Sequence, residues 1–152
     1  MERVQYALER SLPQLQLLDR EGILSKEELR SVTSQRRGFE ARLIRRKAEK
    51  HDFVLYLEFE EDLNQLILLR ARTREREAAQ HARERGESDK AKLLPRQFFA
   101  KQAASFSAVC LGIYERMVRK FRWDVDCWER YLSFAKMRRM RTVAGRVYAR
   151  AL

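Results

Sequence analysis

The stretch from Ile113 to Ala135, reading IYERMVRKFRWDVDCWERYLSFA, constrains the chain more than any other. It holds the end of one amphipathic helix, a short polar break and the start of a second helix. Tyr114, Val118 and Phe121 sit at i, i+4, i+7, and Trp128, Tyr131 and Phe134 at i, i+3, i+6. Both spacings place large side chains on one face of a 3.6-residue helix. Asp124 or Asp126 can cap the second helix, where negative charge meets the positive end of the dipole. Two helices joined by so short a turn must run antiparallel and bury those rings against each other.

Composition extends this helical reading to the whole chain. Five Gly and two Pro punctuate 152 residues, β-branched residues are sparse, and favourable helix formers dominate. Hydrophobic residues make up 45% and charged residues 36%, the balance of long amphipathic helices with solvated faces. Lys and Arg total 33 against 22 acids, a net charge of +11 and a pI near 10.2. That excess points to a polyanionic neighbour such as nucleic acid, although interspersed charge along helix faces also serves solubility alone. Cys110 and Cys127, both in apolar helical contexts, read as free buried thiols in a reducing compartment. No apolar run approaches the roughly 20 residues of a membrane span, and no signal-peptide core is visible, so a soluble intracellular protein is expected.

In chain order, Val4, Leu8, Leu12, Leu15 and Leu18 form a helical stripe that Pro13 interrupts, predicting a kink or a fresh start after Ser11. Gly22 is a stop, and Ser25–Lys26–Glu27–Glu28 a capping box. The next helix carries Leu29, Val32, Arg36, Phe39 and Leu43 on one face, Arg36 being the anomaly on that stripe and a candidate for partner contact. It ends in a dense basic run. Arg42, Arg45, Arg46, Lys47 and Lys50, with Arg36 and Arg37 upstream, exceed what dipole compensation requires. Contact with phosphates or with an acidic protein surface are both open readings of these seven residues.

A third helix is predicted from near Asp52, with Phe53, Tyr56, Phe59/Glu60, Leu63 and Leu66/Ile67 on its stripe. Arg70 to Lys92 then lacks any large apolar residue, and reads as a solvated helical extension followed by a flexible loop around Gly86–Glu87–Ser88, unable to supply a core. Order resumes at Leu93–Leu94–Pro95. Helices are expected over about 96–121 and 128–137, and from Arg141 to an end on an apolar face.

Two local patterns recur. Phe53-x-x-Tyr56-x-x-Phe59 matches Trp128-x-x-Tyr131-x-x-Phe134, and Ile113–Tyr114–Glu115–Arg116 resembles Val147–Tyr148–Ala149–Arg150. The tyrosines at 114 and 148 are 34 residues apart, a period that marks paired-helix solenoids. The first helices of the pairs are 75 residues apart (53 to 128), which places an insertion in the charged stretch at about 70–95. Phe53, Tyr56, Tyr114, Trp128, Tyr131, Phe134 and Tyr148 are then packing residues rather than a base-stacking surface.

The W-x-x-Y-x-x-F start followed by Y-x-R-A-L resembles the HAT (half-a-tetratricopeptide) repeat. Glu2–Tyr6, the Gly22–Glu28 turn, Phe39–Glu40-x-Arg42–Leu43 with its basic run, and Asp52–Phe53-x-x-Tyr56-x-Glu58-x-Glu60 resemble, in this order, the N-terminal part of the U3 small nucleolar RNA-associated protein 6 family. Arg122–Trp123 departs from the Pro-Gly-like turn usual there.

The expected fold is all-α: an N-terminal helical partner-binding segment (1–50), then an α-solenoid of about two HAT, or TPR-like, repeats (51–152) with the charged insertion. Two repeats fall short of the three or so usually needed, so marginal stability is expected of the chain alone. The resemblance implies a scaffold subunit of the small-subunit processome, organising β-propeller protein partners in the nucleolus during maturation of small-subunit ribosomal RNA with the U3 small nucleolar RNA. It implies no enzymatic activity. A direct RNA-binding protein using the Arg36–Lys50 surface is the alternative. The residues themselves carry no nucleophile motif or Gly-rich phosphate loop, and His51 and His81 lack metal-ligand spacing. No cofactor, small-molecule substrate or membrane partner is expected.

Overall fold

The computed structural model of the chain describes residues 2–85 and 94–152, and among these the secondary structure is entirely helical. The helices are α1 (Glu2–Arg10), α2 (Leu12–Arg20), α3 (Lys26–Leu43), α4 (Lys50–Arg85), α5 (Phe98–Lys120), α6 (Val125–Met137) and α7 (Arg141–Ala151). None of them is long and apolar enough to cross a membrane.

Local chemistry sets the breaks. Pro13 lies in the first turn of α2, where a missing N–H costs nothing, and Ser11 closes α1 by donating its hydroxyl to the Leu8 carbonyl at 2.7 Å. The chain therefore takes the fresh start rather than the kink. Gly22 ends α2 in the left-handed region at φ +66°, which favours glycine. The Ser25–Glu28 capping box is formed in both directions, at 3.1 and 2.8 Å. Asp124 caps α6 by accepting from the Asp126 N–H at 3.0 Å. Between α6 and α7 the reversal is made by Arg139 at φ 55°, with the Met140 N–H bonded to the Ala135 carbonyl at 2.8 Å.

Successive long helices run antiparallel. Along α3 and α4 the partners are Phe39 with Tyr56, Arg36 with Glu60 and Glu28 with Arg70, one index falling as the other rises. Phe53 with Phe121 and Asn64 with Gln102 fix α4 against α5. Tyr114 with Tyr131 and Phe106 with Phe134 fix α5 against α6, the hairpin that the ring spacing predicts. α1 and α2 pack on α3, and α2 also reaches α5.

Two apolar cores result. One gathers Phe53, Tyr56, Phe106, Ile113, Met117 and Cys127 with Val147 of α7. The other gathers Leu17, Leu18, Ile23, Val32, Ile67 and Phe98. Phe59 touches both. Burying each large side chain contributes roughly 1.5–3 kcal/mol.

The charged stretch forms the expected helical extension but differs from expectation in its burial. α4 continues unbroken to Arg85, and although no large apolar residue follows Leu69, Ala71 and Ala78 are buried, Ala71 within the second core. Small side chains let another segment approach closely, so this stretch does supply part of a core. Arg70 and Arg74 also reach back to the α2–α3 connection, donating to the carbonyls of Ile23 and Glu21. The proposed loop around Gly86–Glu87–Ser88 lies outside the described residues. α6 begins at Val125, three residues before the expected Trp128, because Asp124 rather than a later residue caps it.

Candidate interaction surface

The helices bring together a buried polar chain between the two cores. Gln102 donates to Asn64 Oδ1 at 3.0 Å and accepts from Gln14 Nε2 at 3.1 Å, and Gln14 in turn accepts from Arg36 Nη2 at 3.1 Å. Arg36 grips Glu60 with two bonds, Nε to Oε1 at 2.7 Å and Nη2 to Oε2 at 2.8 Å. Both side chains are almost wholly enclosed, at 3% and 2% exposure. Burial pulls the Arg36 guanidinium down, but its hydrogen bonds to Glu60 and that residue's charge outweigh burial and leave it raised. A second pair lies alongside. Glu40 accepts two bonds from Arg116, at 2.6 and 3.1 Å, and one from the Tyr56 hydroxyl at 2.9 Å. Burial, then the charges of Glu40 and Glu60, push the Tyr56 phenol far above its ordinary range.

Arg36 is thus not a surface residue. The anomaly on its stripe has an explanation inside the fold, in Glu60 at the equivalent position of α4. Lys50 also has an internal use: it bonds Asp124 at 3.0 Å and Asp126 at 2.7 Å, tying the start of α4 to the cap of α6. Those bonds, Asp126 first, raise its ammonium and lower both carboxyls.

The other basic residues stay outside. Arg37 and Arg42 are exposed on α3, the Arg42 guanidinium 5.7 Å from the Phe39 ring. Arg45, Arg46 and Lys47 are exposed in the α3–α4 turn, which Lys120 anchors by donating to the carbonyls of Arg45 and Arg46 at 3.2 Å each.

Of the aromatic set, Phe53, Tyr56 and Tyr131 are buried, and Tyr114, Trp128 and Phe134 half-buried. Tyr114 stacks on Tyr131 at 5.4 Å with planes 2° apart, and packs on Phe134 at 5.2 Å. The Trp128 Nε1 donates to the Arg122 carbonyl at 2.9 Å, under the Arg150 guanidinium. Tyr148 departs from expectation: it is 55% exposed, and Val147, about 100° away around the helix, holds the buried position. In the unusual Arg122–Trp123 turn, Trp123 is 95% exposed. Cys110 and Cys127 are free and buried, while His51 and His81 are exposed, as expected.

Sequence reasoning missed Gln14, Glu40, Asn64, Gln102 and Arg116. One signal was available: Gln102 sits on the Phe98–Phe106–Cys110 stripe, a polar residue at an apolar position, as Arg36 and Glu60 do. Such positions on packed helices call for partners on their neighbours.

The family model of U3 small nucleolar RNA-associated protein 6 matches residues 8–92, more than half of the chain and the part that contains Gln14, Arg36, Glu40 and Glu60. The chain belongs to that family. Curated relatives of the U3 small nucleolar RNA-associated protein 6 family align along nearly all of it. A protein of that name from Schizosaccharomyces pombe is 28% identical over 99% of this chain and 27% of its own length. Homologs from Homo sapiens and Dictyostelium discoideum are 29% and 24% identical over 99% and 100% of this chain, each over 22% of its own length. The chain therefore spans about a quarter of the length of these relatives.

Proposed function

We propose that this chain is an interaction module of a ribosome-assembly scaffold, holding protein partners in the nucleolar small-subunit processome while pre-ribosomal RNA matures with the U3 small nucleolar RNA. The observation that carries the reading is family membership. The names of the relatives connect them to the U3 RNA, and the family resemblance implies β-propeller subunits as partners. In this reading α4 with α5, and α6 with α7, are about two HAT-type units, residues 1–50 are a partner-binding segment, and the 70–95 stretch is an insertion in the first unit. The recurring ring patterns support it, since Phe53 and Trp128 fall at the starts of α4 and α6, and Tyr114 and Tyr148 within α5 and α7.

The use of charge favours protein contact over a phosphate grip. Arg36 and Lys50 hold carboxylates within the fold, which leaves Arg37, Arg42, Arg45, Arg46 and Lys47 of the basic run. The test is a titration of the chain with U3 RNA over a range of salt. A scaffold that lies near RNA without gripping it binds weakly, and alanine at Arg45, Arg46 and Lys47 changes little. Tight binding whose log affinity falls steeply with log salt, and which that triple variant abolishes, establishes the RNA-binding alternative instead.

A further inference from the structure

α1, α2, α3 and α5, with Tyr56 of α4, leave between them a cavity of about 350 Å3. It shares Ala7, Arg10, Glu40, Gly112 and Arg116 with a wider groove of about 940 Å3 that reaches the α3–α4 turn. On the α5 side the wall is Ala104, Ala108 and Gly112, one small residue per turn, so a second helix can lie close to the backbone. A Cβ added at Gly112 would meet nothing within 4 Å.

Arg36 lies in the cavity lining. Its Nε and Nη2 are held by Glu60 and Gln14, but the buried Nη1 has no hydrogen-bond partner among the described residues. A buried guanidinium N–H without an acceptor is unfavourable, and a ligand oxygen entering the cavity removes that penalty.

The groove around the cavity is cationic. Arg3, Arg10, Arg45, Arg46, Arg119 and Lys120 line it. Of its three carboxylates, Glu40 is already bound by Arg116 and Glu115 by Arg150. Yet the groove is not a bare phosphate track. Tyr6 and Ile44, 62% and 47% exposed, present apolar surface within it. A sugar-phosphate backbone has no use for an aliphatic surface or for a stripe of small residues on a helix. An amphipathic helix with acidic flanks uses both.

We propose that the cavity and groove are the docking site for an acidic amphipathic helix of a protein partner. Its small apolar side chains lie along Ala104, Ala108 and Gly112, its acidic flank meets the basic rim, and one Asp or Glu carboxylate accepts from Arg36 Nη1. This rests on the scaffold reading and specifies its partner surface.

The test uses fluorescence anisotropy of the chain with four labelled probes. Three are peptides about 20 residues long, roughly 30 Å as helices: an amphipathic Glu/Leu/Ala peptide, a permuted peptide of the same composition, and a Lys counterpart. The fourth is oligouridine of about 20 nucleotides. The variants are Gly112→Trp, whose Cβ meets nothing within 4 Å and whose indole is placed to fill the groove, and the pair Arg10→Glu with Arg119→Glu. Circular dichroism checks that each is folded.

The expected result is binding of the acidic amphipathic peptide alone, weakened roughly tenfold or more by either variant, as when a central contact is blocked. Failure of that peptide to bind, or binding indifferent to Gly112→Trp, overturns the proposal. Oligouridine binding that the charge reversal abolishes and Gly112→Trp leaves intact overturns it in favour of RNA. Co-purification of proteins from nuclear extract separates the two levels. Partners retained equally by wild type and Gly112→Trp sink the groove and leave the scaffold standing, whereas no partner even with wild type sinks the scaffold.

Discussion

Replacing Arg36 by Met strands the Glu60 carboxylate in a site from which water is excluded. Two short bonds, at 2.7 and 2.8 Å, are lost between side chains only 3% and 2% exposed. Breaking a buried pair from one side costs about 3–5 kcal/mol, because the remaining charge is desolvated and uncompensated. The Gln14 carbonyl loses a donor as well, worth about 1 kcal/mol. In a chain of this size the change lowers the melting temperature by roughly 8–24 °C. Glu60→Leu has a similar effect, since it strands the guanidinium. The double variant Arg36→Met with Glu60→Leu removes both charges and should lie within about 2 kcal/mol of wild type, because an apolar pair of similar volume replaces an ion pair at little net cost. Urea unfolding followed by circular dichroism at 222 nm supplies the double-mutant cycle. If a single variant fails to fold, the double variant still decides, since it alone should recover. Single variants costing under about 1 kcal/mol, or a double variant whose loss equals the sum of the singles, refute a buried, coupled pair.

The remaining predictions concern acid, thiols and one strained turn. The Glu28 carboxyl is held down to about 2, from an ordinary 4.5, first by its hydrogen bond from Arg70 and then by the Ser25 N–H. Its contribution is present in full above the unfolded value and disappears as pH falls through the folded one, since in that window the unfolded chain binds the extra proton. Urea midpoints should fall between about pH 4.5 and 2, with a shallower fall in Glu28→Gln. An ordinary titration of the Glu28 carboxyl by NMR contradicts this. Burial pushes the Cys110 thiol up to about 12 and also raises Cys127, so a thiol reagent at pH 8 should label both cysteines only in step with unfolding. Rapid labelling of the folded chain contradicts their burial. Arg139 holds a left-handed conformation at φ 55°, so Arg139→Gly should stabilise the chain by about 0.5–1 kcal/mol in urea unfolding, through relief of the Cβ clash. A loss of stability shows that the Arg139 side chain makes a compensating contact.

Local signals were legible because they act over a few residues. The Ser25–Glu28 box sets a break that sequence spacing alone locates, whereas spacing left Pro13 as a kink or a fresh start and Asp124 or Asp126 as the cap, and the structure takes the fresh start and Asp124. The Ile113–Ala135 hairpin followed from ring spacing, and Tyr114, Tyr131 and Phe134 do meet there. What escaped depends on distant partners. Arg36 was visible as a charge on an apolar stripe, but its partner is 24 residues away, and only the register of α3 on α4 turns a surface reading into a buried pair. Glu40 of α3 likewise finds its partner, Arg116 of α5, across 76 residues. Tyr148 illustrates the limit of pattern matching: in both helices the residue before the tyrosine, Ile113 or Val147, holds the buried place, but Tyr114 is half-buried against Tyr131 whereas Tyr148 is 55% exposed. In the charged stretch, Ala71 and Ala78 were overlooked because small side chains carry little hydrophobic signal, although close approach between helices depends on them.

The measurement that bears most directly on the central claim is affinity purification of the full-length protein from cells, with and without nuclease, combined with ultraviolet crosslinking to RNA. The scaffold account predicts that protein partners stay bound after nuclease treatment, and that U3 RNA co-purifies without crosslinking to residues 36–50. Partners that dissociate on nuclease treatment, together with strong crosslinks in that segment that alanine at Arg45, Arg46 and Lys47 removes, contradict it.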